Sequence, residues 1–353
     1  MKVRNLFVLG ALAAMLGLSA CGTAATTSTS TAAPVPAAVS AAQLANVTLR
    51  IGDQKGTAAQ VLLKAAGLLS GIPYHVQWST FTSGPPMLEA ANDNAIDIGQ
   101  VGNTPPIFSA AANGNIDIVG ALRSSVGDSV LVPTNSPIHT LADLRGRTIA
   151  VAKGSSANGT LLNTLNRAGL KPTDVTISYL QPADAYAAFS QGSIAAWAIW
   201  DPYVSEAVHN LGARELVSGT NALRGTGLAT GTPLSNGYTF QVANRSSLRD
   251  PGKNAAIADY VTRIAKADLW AKGHLSQWAS MYAQQTGIPL DIATSAVSKI
   301  TLVPILIDDS VVAGEQKLAD AFTSAGQLPG HVDVSAFVDR RYNTAVRPLA
   351  TTQ

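Results

Sequence analysis

The sequence predicts an α/β fold arranged as two lobes. Strand-like and helix-like runs alternate from Val47 onward, and serial β-α-β spacing of this kind indicates a sheet of parallel strands flanked by helices. The folded part is about 310 residues long, enough to bury a core without cross-links and more easily divided into two lobes than one. Loops rich in Gly, Ser and Pro recur between a strand and the helix that follows it.

Residues 1–20 are expected to be a signal peptide rather than part of the fold. Lys2 and Arg4 supply a positive start, and Leu6 to Leu18 is an unbroken apolar stretch. At ~1.5 Å per helical residue that stretch falls far short of a ~30 Å hydrocarbon core. It ends in Leu18-Ser19-Ala20-Cys21, small residues leading to a cysteine. That string resembles the bacterial lipobox, in which the thiol is acylated and the chain is cut just before it, so Cys21 is the expected lipidation site. Cys21 is also the single cysteine of the chain. Once lipidated it leaves no thiol for a disulfide, a metal site or a nucleophile. Residues 21–45 are expected to form a flexible tether, since Gly22 to Ala45 is rich in Ala, Thr, Ser and Pro and carries no charge. Anchor, tether and globular part together put the protein on the outer side of a cell membrane, held by lipid alone.

From Val47 to Ile51 the chain reads as a strand, then Thr57 to Leu69 as a helix. Tyr74 to Ser79 alternates like a strand, and Pro85 to Asn92 is a helix with Pro in its first turn. Ile96–Gln100 is strand, Pro105–Ala112 helix and Ile116–Leu122 strand. A second unit follows Val130–Pro133: a short helix at Leu141–Leu144, a strand at Thr148–Ala152, and a helix at Ser156–Ala168 ended by Gly169 with Pro172 beyond. Val175–Leu180 is strand, Pro182–Gln191 helix, Ala195–Trp200 a buried strand, and Pro202 opens another helix. Tyr238–Val242 reads as a returning strand. The remainder is helical at Ala255–Lys272, Leu275–Thr286, Leu290–Val297 and Val312–Ala325.

Charge limits the partners. The chain has 24 Lys and Arg against 22 Asp and Glu. Removing Lys2 and Arg4 with the signal peptide leaves 22 against 22, a formally neutral protein. No basic stripe suggests nucleic acid. An anionic ligand would have to be held by local dipoles.

Four loops sit at the carboxyl end of an expected strand and before a helix, where open α/β sheets bind ligands and helix starts offer free N–H groups. In Lys153-Gly154-Ser155-Ser156, Gly154 permits a tight turn and the serines either cap the helix, contact a ligand or do both. In Gly52-Asp53-Gln54-Lys55-Gly56, Gln54 can donate to an oxyanion without adding charge, and Lys55 is expected to point to solvent. The third loop is Gly99 to Thr104, containing Gly102 and Asn103, and the fourth is Phe81 to Pro86, containing Ser83 and Gly84. In Trp200-Asp201-Pro202-Tyr203, the Asp–Pro pair is compatible with a simple helix start. Trp200 is either core or an apolar wall for a ligand's carbon tail. His75, His139, His209, His274 and His331 lack metal-ligand spacing, and no Gly-x-Ser-x-Gly or Gly-x-Gly-x-x-Gly string stands at a strand-to-helix turn. No catalytic residue, cofactor or metal site is therefore expected.

Together these strings resemble one family, the substrate-binding proteins of ABC importers for aliphatic sulfonates, within the nitrate, sulfonate and taurine group. The likeness runs in register from Leu49-Arg50-Ile51-Gly52 through Gly84-Pro85-Pro86-Met87-Leu88-Glu89-Ala90, Ile96-Asp97-Ile98-Gly99 and Thr104-Pro105-Pro106-Ile107-Phe108. It continues through Asp143-Leu144-Arg145-Gly146, Lys153-Gly154-Ser155-Ser156, Leu180-Gln181-Pro182-Ala183-Asp184-Ala185 and Trp200-Asp201-Pro202-Tyr203, and is looser afterwards. The resemblance implies the periplasmic-binding-protein type II fold, with residues 46–134 and 238–353 as lobe 1 and 135–237 as lobe 2. A two-segment hinge near Val132 and Tyr238 would join them around a ligand cleft. It also implies that Gln54, Gly102, Ser155, Ser156, Trp200 and Asp201 line that cleft, with Ser83, Gly84 and Asn103 as further candidates from the loops. The implied function is capture of a sulfonate-type anion by a monomer that delivers it to a permease and its ATPase. Two positions depart from the family, which often has Tyr where Asp53 stands and Asp where Asn103 stands. The particular guest is thereby left open among sulfonates, taurine, sulfate esters, nitrate and a heterocycle. An enzyme or a sensor built on the same fold are the alternatives of another class.

Overall fold

The structure is a computed structural model that describes residues 39–124, 128–218 and 234–351. The expected signal peptide, Cys21 and the tether up to residue 38 lie outside the described residues. The last part of the expected tether is not extended. Ser40 and Gln43 form a capping box over a single helical turn, α1 (Ala41–Leu44), and Leu44 packs against the main core.

Among the described residues eleven strands follow: β1 (Thr48–Gln54), β2 (His75–Phe81), β3 (Ile98–Gly102), β4 (Ile116–Ser124), β5 (Ser129–Val132), β6 (Thr148–Val151), β7 (Thr176–Tyr179), β8 (Ala196–Ile199), β9 (Arg214–Ser218), β10 (Tyr238–Asn244) and β11 (Leu302–Ile305). They form two sheets, in the orders β11-β4-β10-β3-β1-β2 and β7-β6-β8-β5-β9. The helices are α2 (Ala59–Ala65), α3 (Gly84–Asn92), α4 (Thr104–Ala111), α5 (Ser156–Arg167), α6 (Pro182–Ser190), α7 (Tyr203–Leu211), α8 (Arg245–Arg249), α9 (Pro251–Gly273), α10 (Leu275–Thr286), α11 (Leu290–Ile300), α12 (Asp309–Ser324) and α13 (Asn343–Val346). None of the described helices is long and apolar enough to cross a membrane.

Both sheets follow one plan. A second, first and third strand lie side by side, then comes a strand inserted from a chain crossing, then a fourth. The inserted strand is β10 in the first sheet and β5 in the second. Each runs antiparallel to both of its neighbours, so neither sheet is the purely parallel one that the strand–helix alternation predicts. The inserted strands do not follow a helical crossover within their own sheet, and only such a crossover would require them to run parallel.

The lobe boundary also differs from the expected one after residue 134. Ser129 to Val132 already pair with β8 and β9, so the chain has entered the second sheet by Ser129. Its side chains alternate with the period of a strand: Val130 and Val132 join one core and Leu131 the other. Among the described residues four apolar cores result, one on each face of each sheet. In the first sheet one core holds α9, α10 and α11, and the other holds α3, α4 and α12. In the second sheet α5 covers one face and α6 and α7 the other. This leaves the carboxyl ends of β1, β3 and β8 and the start of α5 free to meet between the lobes.

Candidate functional site

Between the sheets lies a cavity of about 110 Å³, of the same order as the ~150 Å³ cavity that accommodates benzene. Gln54, Gly84, Gly102 and Asn103 line it from the first sheet, and Ser155, Ser156, Trp200 and Asp201 from the second. Eight of the nine candidates from the sequence thus meet around one space. Ser83 does not. It is fully buried, and its hydroxyl donates to Gln181 Oε1 at 3.0 Å, tying the start of α3 to the start of α6.

The start of α5 is built to present N–H groups. Gly154 takes φ +70°, which a residue with a Cβ resists, and turns the chain from β6 into the helix. Ser155 stands at the N-cap but does not cap: its hydroxyl donates to Ala152 O at 2.7 Å. The N–H groups of Ser156 and Ala157 consequently have no intrahelical acceptor and carry the partial positive charge of the helix start. Ser156 Oγ is oriented by Asp128, donating to Oδ1 at 3.0 Å, while Thr160 Oγ1 donates to Oδ2 at 3.2 Å. Burial pushes the Asp128 carboxyl up to about 6, against those two hydrogen bonds.

The other lobe adds neutral donors. Gln54 Nε2 donates to Gln100 O at 3.1 Å, which uses one of its two amide hydrogens. Asn103 lines the cavity, but its Nδ2 donates to Asn236 Oδ1 at 2.7 Å and Ser235 Oγ at 3.4 Å, on the approach to β10. The start of α2 behaves unlike that of α5. Asp53 accepts from the N–H groups of Gln54, Ala59 and Gln60 and from Thr57 Oγ1, so it caps α2 internally and is absent from the cavity wall. Its departure from the family pattern therefore adds no charge to the cleft. Lys55 is not turned to solvent as expected: its Nζ lies 2.5 Å from Glu206 Oε1 and 5.2 Å from the centre of the Tyr203 ring, bridging the lobes.

Trp200 serves in both of its readings, packing partly against the two cores of the second sheet and lining the cavity. Asp201 accepts from the N–H and hydroxyl of Ser205, fixing the start of α7, and also faces the cavity. Burial pushes its carboxyl up, opposed by Lys299 and Ser205.

Sequence reasoning missed Asp128, Asp268, Trp278 and Lys299 in the wall. Lys299 is shared between Asp201 Oδ2 at 3.8 Å and Glu215 Oε1 at 3.4 Å. Those acids satisfy its charge. Nothing local marks Asp128 or Lys299, because their partners are distant in the chain. Asp268 left a signal: Ile257, Val261, Ile264, Asp268 and Ala271 share one buried stripe of α9 at helical spacing, and the acid interrupts it.

Comparison with known proteins agrees with this architecture. The family described as NMT1/THI5 like matches residues 87–213. A protein of Escherichia coli (strain K12) named "Putative aliphatic sulfonates-binding protein" is 37% identical over 300 residues, covering 83% of this chain and 89% of that one. Among solved structures, the alkanesulfonate-binding protein SsuA from Xanthomonas axonopodis pv. citri bound to MOPS superposes with a TM-score of 0.72 at 32% identity, covering 82% of this chain and 97% of that chain. The periplasmic aliphatic sulphonate binding protein SsuA from Escherichia coli gives 0.68 at 35% identity, covering 82% and 91%. Those matches extend past Tyr203, where the likeness read from motifs alone loosens. The chain belongs to the same family as these proteins named for aliphatic sulfonate binding and has the periplasmic-binding-protein fold.

Proposed function

We propose that this protein is the extracytoplasmic binding component of an ABC importer and captures an alkane- or arylsulfonate between its lobes, as a monomer and without chemical turnover. The observation that carries the reading is the uncapped start of α5, with Ser155 and Ser156 in a cavity wall whose lysine is already shared by two acids. A sulfonate stays ionised and is a weak base, so neutral N–H and O–H donors can satisfy its three oxygens without a full counter-charge. Relatives named as binding proteins, one of them periplasmic, support both the ligand class and the location. In the same reading residues 1–20 are removed, Cys21 carries the lipid, and the two lobes close about the chain crossings. A permease with its ATPase receives the guest.

The test is a melting series with taurine, short alkanesulfonates, arylsulfonates, sulfate esters and alkyl carboxylates of matched length. At a hundred times Kd a bound sulfonate adds about 2.7 kcal/mol to stability, a rise of a few degrees in Tm, whereas carboxylates leave Tm unchanged. If no sulfonate or sulfate ester raises Tm, the reading is wrong.

A further inference from the structure

Helix α9 buries one stripe of its surface, and at Asp268 that stripe presents a carboxyl where an apolar residue would complete it. Asp268 is 3% exposed, its Oδ2 has no hydrogen-bond partner, and no residue among those described donates to it. A buried acceptor left in that state is destabilising, more so if it is charged. Such a cost calls for an explanation, and the position of the residue supplies one. Asp268 lines the same cavity as Gln54, Gly102, Ser155 and Ser156, within an apolar part of the wall that includes Leu62, Ala271 and Trp278.

The other acids in that wall are satisfied. Asp128 receives Ser156 and Thr160, and Asp201 receives Ser205 with Lys299 nearby. Three carboxyl groups therefore face the cavity against one lysine, and only Asp268 among them lacks a donor. A guest that brings a positive charge as well as its anion would supply the partner that this carboxyl lacks. We propose that Asp268 is a specificity-determining residue that receives an ammonium group at the tail of the bound sulfonate, making the preferred guest an aminoalkanesulfonate. Burial alone pushes the Asp268 carboxyl up to about 8, the behaviour of an acid that lacks a counter-charge.

The inference rests on the cavity being a sulfonate site, and the experiment separates the two. Calorimetric titration of the intact protein compares aminopropanesulfonate with butanesulfonate, which differ by ammonium for methyl at the same chain length. Wild type is expected to bind aminopropanesulfonate about ten- to a hundredfold more tightly, the range of one charge-assisted hydrogen bond. Asp268→Asn is expected to erase most of that preference and Asp268→Leu to reverse it. Equal or tighter binding of butanesulfonate by wild type overturns the inference and leaves the sulfonate reading standing. A preference that persists in both variants also overturns it. If neither compound binds wild type, both readings fall. The wild-type comparison decides the matter even if a variant does not fold.

Discussion

A hydroxyl that donates to a carboxylate cannot donate to a sulfonate at the same time. Ser156 spends its proton on Asp128, so in this state it offers the cavity its N–H while its hydroxyl is held by the acid. An anion arriving beside Asp128 disfavours the ionised carboxylate and raises its pKa above the value of about 6 that burial already imposes. Binding then takes up a proton, so affinity rises as pH falls through the raised value of the complex and levels off below about 6. The groups facing Asp128 are Ser156 and Thr160 on α5 and Asp201, which follows the neighbouring strand β8. Butanesulfonate affinity is expected to increase about three- to tenfold between pH ~7.5 and ~5.5. In Asp128→Asn that slope should be smaller, and since Asp201 is common to both proteins, the difference isolates Asp128. Identical slopes in titrations of the two proteins would contradict this.

At the scale of elements, glycines decide how closely the lobes approach. A Cβ built on Gly102, at the end of β3, would lie 2.7 Å from Ser156 Cβ at the start of α5, closer than real Cβ atoms come. One on Gly56 would meet the Trp200 ring at 2.7 Å. Gly102→Ala should therefore prop the closed lobes apart without disturbing either core. Its melting temperature should stay close to wild type while sulfonate affinity falls about tenfold or more, because the binding-competent arrangement becomes a minor one. Undiminished affinity would show that the close approach is not needed. Much of this was readable from local pattern: the strand–helix order, the loops at strand ends and the helix starts at Pro85, Pro105, Ser156 and Pro182. What pattern could not supply was the destination of side chains. Asp53 and Ser83 have the chemistry of ligand donors or acceptors, yet one caps α2 and the other holds Gln181. Arg50 and Asp97 belong to strings that carry the family likeness, yet they form an ion pair at 2.6 Å inside the first lobe. Burial opposes the Asp97 charge, but hydrogen bonds from Arg50, Lys253 and Ser247 outweigh it and hold the carboxyl below its ordinary range. Strands β9 and β11 escaped because both are edge strands, one bearing Arg214 and Glu215 and the other Pro304, which an edge tolerates.

Across the whole molecule, the two sheets share one plan and exchange one strand position at each crossing, which sets their strand ends against each other. Polar contacts bridge them at Lys55 to Glu206, Thr82 and Ser83 to Gln181, Asn158 to Gln327, Ser205 to Ser295 and Lys299 to Asp201 and Glu215, and Leu162 of α5 packs into the core that holds α12. Partly exposed polar pairs of this kind are worth about 0–1 kcal/mol each, so a guest's own contacts are expected to outweigh them in setting how the lobes sit. In the proposed complex, peptide N–H groups and neutral side chains, rather than a lysine, hold the guest's charge. A crystal structure of the protein with butanesulfonate tests this most directly. It should place the sulfonate oxygens about 3 Å from the N–H groups of Ser156 and Ala157, with Gln54 and Gly102 closing over them. A sulfonate paired with the Lys299 ammonium instead, with the start of α5 facing solvent, would contradict it.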